Sequence, residues 1–480
     1  MQDNELALLE ARGKFANLIG YLKEAAVNKE AIHKVEYHLL RELLSLGWSL
    51  LVYFLSQKGL GDVGCALFLR DGQILLRSQE VQVRPYLSIF GEVEIRRYVY
   101  GEGACQHVPL DCELNLPEWK YSYLLEEWGL AFSSQEAFGE AGKILDKILG
   151  LNLAVRTLER ISRKVSGGVE AFRQDQVPPK AEGEEVIVAT SDCKGVPITK
   201  DQPSTKKRRG KGEKANKKKM ACVGAVYTIA PFPRTVEDIL DDVSHKGSLK
   251  CRPRPQHKQL RADLIQKKET TFAWLAQQVA QRNPLGQQSV VCLMDGEKKL
   301  WNLKKRYLPD AIGILDLWHV MEKLWKGAYV FHREGSPQAQ AFVTKRLEML
   351  LEGKVGYVIG GFRQMITKHR LRGKKKKTLQ QIITYFHNNR KHMRYDLYLA
   401  AGYPIGSGVA EGACRHLVKD RLERTGMRWR LEGAQAILDL RATYLNGDWD
   451  QFWEHYTTAE KKRLFGQLNF DNSMAYRAAG

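Results

Sequence analysis

The sequence predicts an α/β protein. Three observations carry that reading. Short β-rich apolar runs occur at Val186–Thr190, Ala221–Ile229, Val290–Met294 and Ile312–Leu315; helical patterns lie between and after them; and a carboxylate closes three of the four runs, at Asp192, Asp295 and Asp316. Strands alternating with helices build a sheet covered by helices. Continuous apolar runs, without polar alternation, belong to central strands buried on both faces.

The elements follow in chain order. To about Gly59 the chain reads as helical, with Leu39, Leu40, Leu43, Leu44, Leu46 and Leu50 at helical spacing. Val81, Val83, Tyr86 and Ile89 then flank polar residues, Gly91 breaks the chain, and Val93, Ile95 and Tyr98 resume the alternation, which predicts a β-hairpin. Ser133, three residues before Glu136, has the spacing of a capping box for a helix carrying Phe138, Ile144, Leu145 and Ile148. Gly150 ends that helix, and a second begins near Leu153, lined by Arg156, Arg160, Arg163 and Lys164. A helix pair over 133–165 with a basic second member is a possible helix-turn-helix, with Arg156 and Arg160 as DNA contacts. An ordinary helical hairpin with a solvated basic face gives the same pattern.

Gln174–Glu185 reads as a linker. The first two strands of the sheet are joined by a Lys/Arg-rich insert, Lys200–Lys219, in which Lys206 and Arg208 are candidate phosphate contacts or parts of a solvated tether. A helical segment with Leu264, Phe272, Leu275 and Val279 ends at Pro284. From Trp318 to about Tyr398 the chain is helical and basic, including Lys374–Lys377. Tyr403–Gly408 is a turn-rich break, followed by a helix bearing Glu411 and extending to about Thr425.

Composition narrows the partners. The 480 residues exceed one ordinary core, and 75 Lys+Arg against 55 Asp+Glu give a net charge of +20. A surplus of this size on a folding chain favours a polyanion, and nucleic acid is the expectation. A membrane is not expected: the most apolar stretch, Leu43–Leu55, carries Ser45, Gly47 and Ser49 and falls short of the roughly 20 residues that span a bilayer. The acidic, polar N-terminus does not look like a signal peptide. Scattered cysteines fit reduced thiols in the cytoplasm.

Asp192 and Asp295 at strand ends, and Glu411 in the first turn of a helix after a Gly-Ser-Gly break, are placed to converge at one sheet edge, where open α/β proteins put their sites. Such an oxygen-rich set suits Mg²⁺ or Mn²⁺, and a pair of ions can serve phosphodiester chemistry. Each carboxylate taken singly can equally be a turn former or helix cap. On a helical wheel Glu411 lies between an apolar side, Cys414 and Val418, and a basic side, Arg415 and Lys419. A Glu411–Arg415 surface pair is the plainer alternative. Trp429, between Arg428 and Arg430, is either a core residue or a platform for an unpaired base.

Four blocks carry a resemblance: Thr190-Ser191-Asp192; Leu293-Met294-Asp295-Gly296-Glu297; Ile314-Leu315-Asp316-Leu317-Trp318-His319; and Gly402 to Trp429, which includes Gly-Tyr-Pro-Ile-Gly-Ser-Gly-Val-Ala-Glu-Gly-Ala-Cys-Arg-His. With Arg84–Gly91 and Pro109-Leu110-Asp111, they resemble the DDE transposases of bacterial insertion sequences, the ISKra-type group related to Mutator-like enzymes, from about residue 80 to 445. The resemblance implies an RNase H-like catalytic core with a helical insertion, preceded by a mostly helical N-terminal region containing the hairpin. The expected segments are a DNA-binding and assembly region over 1–180, a first core part over 184–319, the insertion over 320–403, the end of the core with the Glu helix over 404–445, and a C-terminal tail over 446–480. It implies Asp192, Asp295 and Glu411 as catalytic metal ligands for two Mg²⁺ or Mn²⁺ ions. It also implies an Asp316–His319 pair beside the site, transposon-end and target DNA as partners, a homo-oligomer, and a bacterial, nucleoid-associated enzyme. Asp316 can instead ligate metal in place of Asp295, or cap the helix starting at Leu317. The paired Cys-x-x-Cys motifs that many relatives carry near the hairpin are missing here; Cys65, Cys105, Cys112 and His107 do not offer the ligand spacing zinc needs, so zinc is not the expectation. A nuclease without strand transfer, or a domesticated DNA-binding protein, stays open as an alternative.

Overall fold

The structure is a computed structural model that describes residues 2–103, 106–199, 218–244, 251–424 and 426–467. Lys206, Arg208 and Cys105 lie outside the described residues. The chain divides into two compact units, 1–168 with 449–480, and 169–448.

In the first unit, α1 (Gln2–Val27) and α2 (Ile32–Lys58) form a helical hairpin. A polar seam ties them: the Lys14 ammonium donates to Ser49 Oγ at 2.8 Å and pairs with Glu10 at 3.0 Å. Among the described residues α2 is the one helix long and apolar enough to cross a membrane, because the apolar pattern runs well beyond Leu43–Leu55. Two small antiparallel pairs follow: β1 (Ala66–Phe68) with β2 (Ile74–Leu76), and β3 (Gln82–Ser88) with β4 (Gly91–Arg97). The second pair is the hairpin the alternation predicts. The short α3 (Pro109–Glu113) precedes α4 (Tyr123–Gln135), α5 (Phe138–Leu149) and α6 (Val155–Ser166). The predicted capping box is wrong: Ser133 is buried near the end of α4, and Glu136 is the cap residue that ends that helix. The side-chain N-cap is Ser122, whose oxygen accepts from the Leu125 N–H. Gly150 closes α5 with φ 73°, a left-handed conformation that glycine adopts without strain. Arg156 is exposed on α6, while Arg160 stacks over Trp119 with its guanidinium carbon 4.3 Å from the ring centre. The segment 446–480 is more than a tail, since Trp449–Phe465 forms a helix grouped with this unit.

The second unit is mixed α/β. It begins with α7 (Val169–Asp175) and contains β5 (Val186–Pro197), β6 (Lys218–Ile229), α8 (Val236–Ser244), β7 (Gln256–Asp263), α9 (Lys268–Arg282), β8 (Val290–Met294), α10 (Lys298–Tyr307) and β9 (Ile312–Leu315). The five strands form one sheet in the order β7-β6-β5-β8-β9. β5, β6 and β7 are antiparallel neighbours; β5, β8 and β9 are parallel. Two strand predictions change. β5 does not end at Thr190 but runs on to Pro197, because β6 keeps pairing with it after β8 has ended at Ser191↔Met294. β7 was not foreseen, and Leu264 lies beyond it rather than in a helix; α9 starts at Lys268.

Alternation along the strands sends Val186, Val188, Val291, Leu293 and Ile314 into one core, and Ile187, Ala189, Cys292 and Met294 into the other. α9 and α10 cover the second face. The first face is covered by the helices of the predicted insertion: α11 (Leu317–Ala328), α12 (Pro337–Leu351), α13 (Val355–Lys368), α14 (Gly373–Asn389) and α15 (Tyr395–Ala400). Burial of the sheet on both faces explains why its central strands read as unbroken apolar runs. After a loop, α16 (Gly408–Ala413) runs through a π-helical turn, Cys414–Lys419, into α17 (Asp420–Leu422), and α18 (Leu431–Asn446) follows.

Candidate active site: a carboxylate cluster at the sheet edge

Asp192 shares the parity of Val186 and Val188 on β5, so alternation places it on the face covered by the insertion helices. It is a mid-strand residue, not a strand-end residue, yet it sits one step beyond the last β5–β8 pair, where the parallel part of the sheet opens. Its Oδ1 accepts from the Cys193 N–H at 2.6 Å, and its Oδ2 receives the Cys414 thiol at 3.4 Å. Asp295 follows β8 directly, and its Oδ1 accepts from the Glu297 N–H at 2.9 Å. Asp316 follows β9, and its own N–H donates to Met294 O at 2.9 Å, which stitches the two strand ends together.

Asp316 is fully buried and fully engaged. Its Oδ1 accepts from Trp318 N at 3.2 Å and from Ser407 N at 3.1 Å. Its Oδ2 takes Ser407 Oγ at 2.6 Å and lies 2.8 Å from His319 Nδ1. It is thus the N-cap of α11, as one of the sequence alternatives has it, and also the anchor of two partners. Four donors on two oxygens leave little capacity for a further ligand.

Ser407 joins the β9 end to the Glu411 helix. Its N–H and hydroxyl hold Asp316, and its carbonyl accepts from the Glu411 N–H at 2.9 Å. The preceding loop is fixed by Leu317 N donating to Ile405 O at 2.9 Å. Gly402 has φ 74°, and a Cβ there would come 2.5 Å from Phe232 N, so no other residue fits without a shift. The consequence is that one ligand-type atom each from Asp316, His319 and Glu411 lies within 4.8 Å of the others. Among the described residues this is the group of His, Cys and carboxylate side chains close enough to share an ion.

Asp192 and Asp295 act on this group through their charges. Burial raises the Asp295 carboxyl above its ordinary range, and the Asp192 charge adds to that. Burial also raises Glu411, with Asp316 and Asp192 raising it further and His319 opposing them. His319 is lifted to about 9, first by its hydrogen bond to Asp316, and also by the charges of Asp295 and Asp192. It is therefore an imidazolium at neutral pH. Four carboxylates and one such cation leave an excess of negative charge, with hard oxygen donors, that suits a divalent cation of the Mg²⁺ type.

The structure brings Asp316, His319 and Glu411 within reach of one ion, and Asp192 and Asp295 act on the same groups through their charges. It does not pair Glu411 with Arg415, whose Nε lies 3.8 Å from Asp420 instead. Arg415 and Lys419 are exposed on the side of the helix opposite the buried Cys414 and Val418, and Arg428 is exposed as well. Trp429 is not displayed to a partner: it is 8% exposed, its Nε1 donates to Leu422 O at 3.1 Å, and Arg421 lies over its ring. Its indole is packed in the core. Sequence reasoning missed Ser407 and Cys414 as partners of the carboxylates. Ser407 stands in the Gly-Ser-Gly break, but nothing local couples it to a residue 91 positions away.

No protein-family model and no curated protein matches this chain. Among solved structures, the Drosophila P element transposase strand transfer complex is matched at 11% identity, covering 76% of this chain and 88% of that one, with a TM-score of 0.26. At that score the two folds are not shown to be the same.

Proposed function

We propose that this chain is a transposase, a metal-dependent polynucleotidyl transferase with an RNase H-like core that cuts DNA at the ends of a mobile element and joins them to a target. The observation that carries the reading is the close Asp316–His319–Glu411 group, whose charges Asp192 on β5 and Asp295 after β8 also influence. The sheet order, three antiparallel strands continued by two parallel ones, and the helices inserted between β9 and the Glu411 helix support the RNase H-like part. The net charge of +20 supports a DNA substrate. The ISKra-type, Mutator-related grouping, an assembly of two or more copies and a place on the bacterial nucleoid belong to the same proposal.

Asp192, Asp295 and Glu411 would hold two Mg²⁺ or Mn²⁺ ions, which when bound stabilise charge on the phosphodiester oxygens and lower the pKa of an attacking water. Asp316 keeps His319 oriented and protonated, leaving Nε2 as the ring atom not committed to Asp316 and putting a cation beside the incoming phosphate. In the first reaction water attacks a phosphodiester and breaks its bond to the 3′-oxygen, which leaves as a hydroxyl. In the second that hydroxyl attacks a target phosphodiester, loses its proton to solvent and displaces the target's own 3′-oxygen.

The test is the full chain with supercoiled plasmid and a labelled duplex oligonucleotide, in Mn²⁺, Mg²⁺ or EDTA. We expect nicked plasmid and covalent oligonucleotide–plasmid joints with metal, and neither with EDTA. Nicks without joints would favour a nuclease, and DNA binding without either product a catalytically silent binding protein.

A further inference from the structure

A second feature of the catalytic unit begins where the carboxylate cluster ends. Gly296, next to Asp295, lies against the ring of Tyr385 on α14, and a Cβ there would meet that ring at 2.2 Å. From this contact a cavity of about 910 Å³ extends between α10 and α14. Its α14 wall is formed by Lys376, Lys377, Gln380, Gln381, Thr384 and Asn388. These recur at three- and four-residue intervals and so make one continuous stripe on the helix. From Lys376 to Asn388 the stripe is about 18 Å long at 1.5 Å per residue. All six side chains are exposed.

The stripe has no acidic member, and neither α10 (KKLWNLKKRY) nor α14 (GKKKKTLQQIITYFHNN) contains one. Lys298 and Asn302 from α10, and Lys391 just past α14, complete the rim. Behind them Trp301 stacks on His392, with ring centres 3.8 Å apart and planes 5° from parallel, and His392 Nδ1 lies 3.1 Å from the Gly313 carbonyl on β9. Burial holds the His392 imidazole down at about 4, and the Lys391 and Lys304 cations push it the same way, which marks the local potential as positive.

We propose that this groove binds a single strand of DNA running to the carboxylate cluster, with its phosphates on Lys298, Lys376, Lys377 and Lys391 and its sugars and bases along the Gln, Thr and Asn side chains. The inference rests on the polynucleotidyl transferase reading and adds the path of the substrate. Lysines without sequence-reading partners and neutral amides are the donors that proteins use on phosphate and sugar. A charged channel with aromatic rings in its wall is how single strands are held without sequence choice. A cavity of this volume admits a few nucleotides of one strand, and not a duplex.

The test is binding, measured without catalysis. Fluorescence anisotropy of a labelled oligothymidylate and of a duplex of equal length is followed with the full chain in EDTA, across a salt series. The variant is Lys376→Gln/Lys377→Gln/Lys391→Gln. The control is Lys326→Gln/Lys345→Gln/Lys354→Gln, exposed lysines elsewhere in the inserted segment. For single strands each lost phosphate contact lowers the slope of log K against log salt by about 0.7, so the groove variant should lose about 2. Its affinity for the single strand should fall at least about tenfold at low salt while the control stays within about twofold. Thermal melting identical to wild type verifies folding, since all three positions are exposed. A groove variant with the wild-type slope and affinity would overturn the proposal while leaving the active-site reading intact. So would a loss confined to the duplex. A wild-type chain that binds neither probe would end both readings.

Discussion

Glu411→Gln is expected to abolish strand cleavage and strand joining together, each by at least about a thousandfold, in a protein that still folds and still binds DNA. The glutamine keeps the size and hydrogen-bonding capacity of the side chain but removes the charge that a hard cation needs. Several kcal/mol of transition-state stabilisation go with it, and each 1.4 kcal/mol or so is about tenfold in rate. Folding should be unharmed, because Glu411 is exposed in the first turn of α16, and partial burial and then the charges of Asp316 and Asp192 already disfavour its ionised form. Its backbone N–H still reaches the Ser407 carbonyl. The check is the plasmid assay, run with both an intact duplex and one whose 3′-hydroxyl is already free. Normal joining of the pre-cut duplex would show that the two reactions do not share Glu411.

Asp316→Ala should fail differently. Removing the carboxylate leaves the Trp318 and Ser407 N–H groups and the Ser407 hydroxyl without their acceptor in a fully buried place. Breaking such a buried network costs about 3–5 kcal/mol, so urea unfolding should shift to markedly lower denaturant. Asp316→Asn is the informative companion. Its remaining oxygen can still accept the two N–H groups, so most of the stability should return, but the charge facing His319 is gone. The His319 imidazole should then fall from about 9 toward the ordinary value near 6.5, read by ¹³C-histidine NMR titration. The sign follows from the raised pKa. The pair's contribution to stability is fully present below about 6.5 and is lost as pH rises through about 9. Wild type should therefore lose more stability between pH 7 and 9.5 than Asp316→Asn does. An imidazole that stays near 9 in the asparagine variant would mean that Asp316 is not what holds it.

The parts of this molecule that sequence reveals are those whose physics is local. β8 and β9 are covered on both faces, so Val290–Met294 and Ile312–Leu315 read as apolar runs, and the aspartates that close them mark the edge where the sheet opens. Asp192 was legible for the same reason, although β5 runs five residues past it because its partner changes from β8 to β6. Glu411 was legible through the glycine-flanked turn before its helix. β7 was not: Gln256–Asp263 is polar through its first half and has no alternation to find. Ser133 was misread because a serine three residues before a glutamate has the same spacing inside a helix end as at a helix start. Ser407 on Asp316 and Cys414 on Asp192 are 91 and 222 positions from their partners, and only the fold couples them. The groove on α14 was visible as lysines and amides, but its stripe gained meaning only when Gly296 placed one end beside Asp295.

On the proposed reading Asp192, Asp295 and Glu411 hold the divalent cations while Asp316 serves the scaffold. Manganese binding separates these roles, by following the electron spin resonance signal of free Mn²⁺ during titration of wild type, Asp192→Asn, Asp295→Asn, Glu411→Gln and Asp316→Asn. Each of the first three substitutions is expected to weaken Mn²⁺ binding by at least about tenfold, at about 1.4 kcal/mol per tenfold. Asp316→Asn should bind within a few-fold of wild type. Wild-type Mn²⁺ affinity in all of the first three, or loss of binding in Asp316→Asn alone, would contradict it.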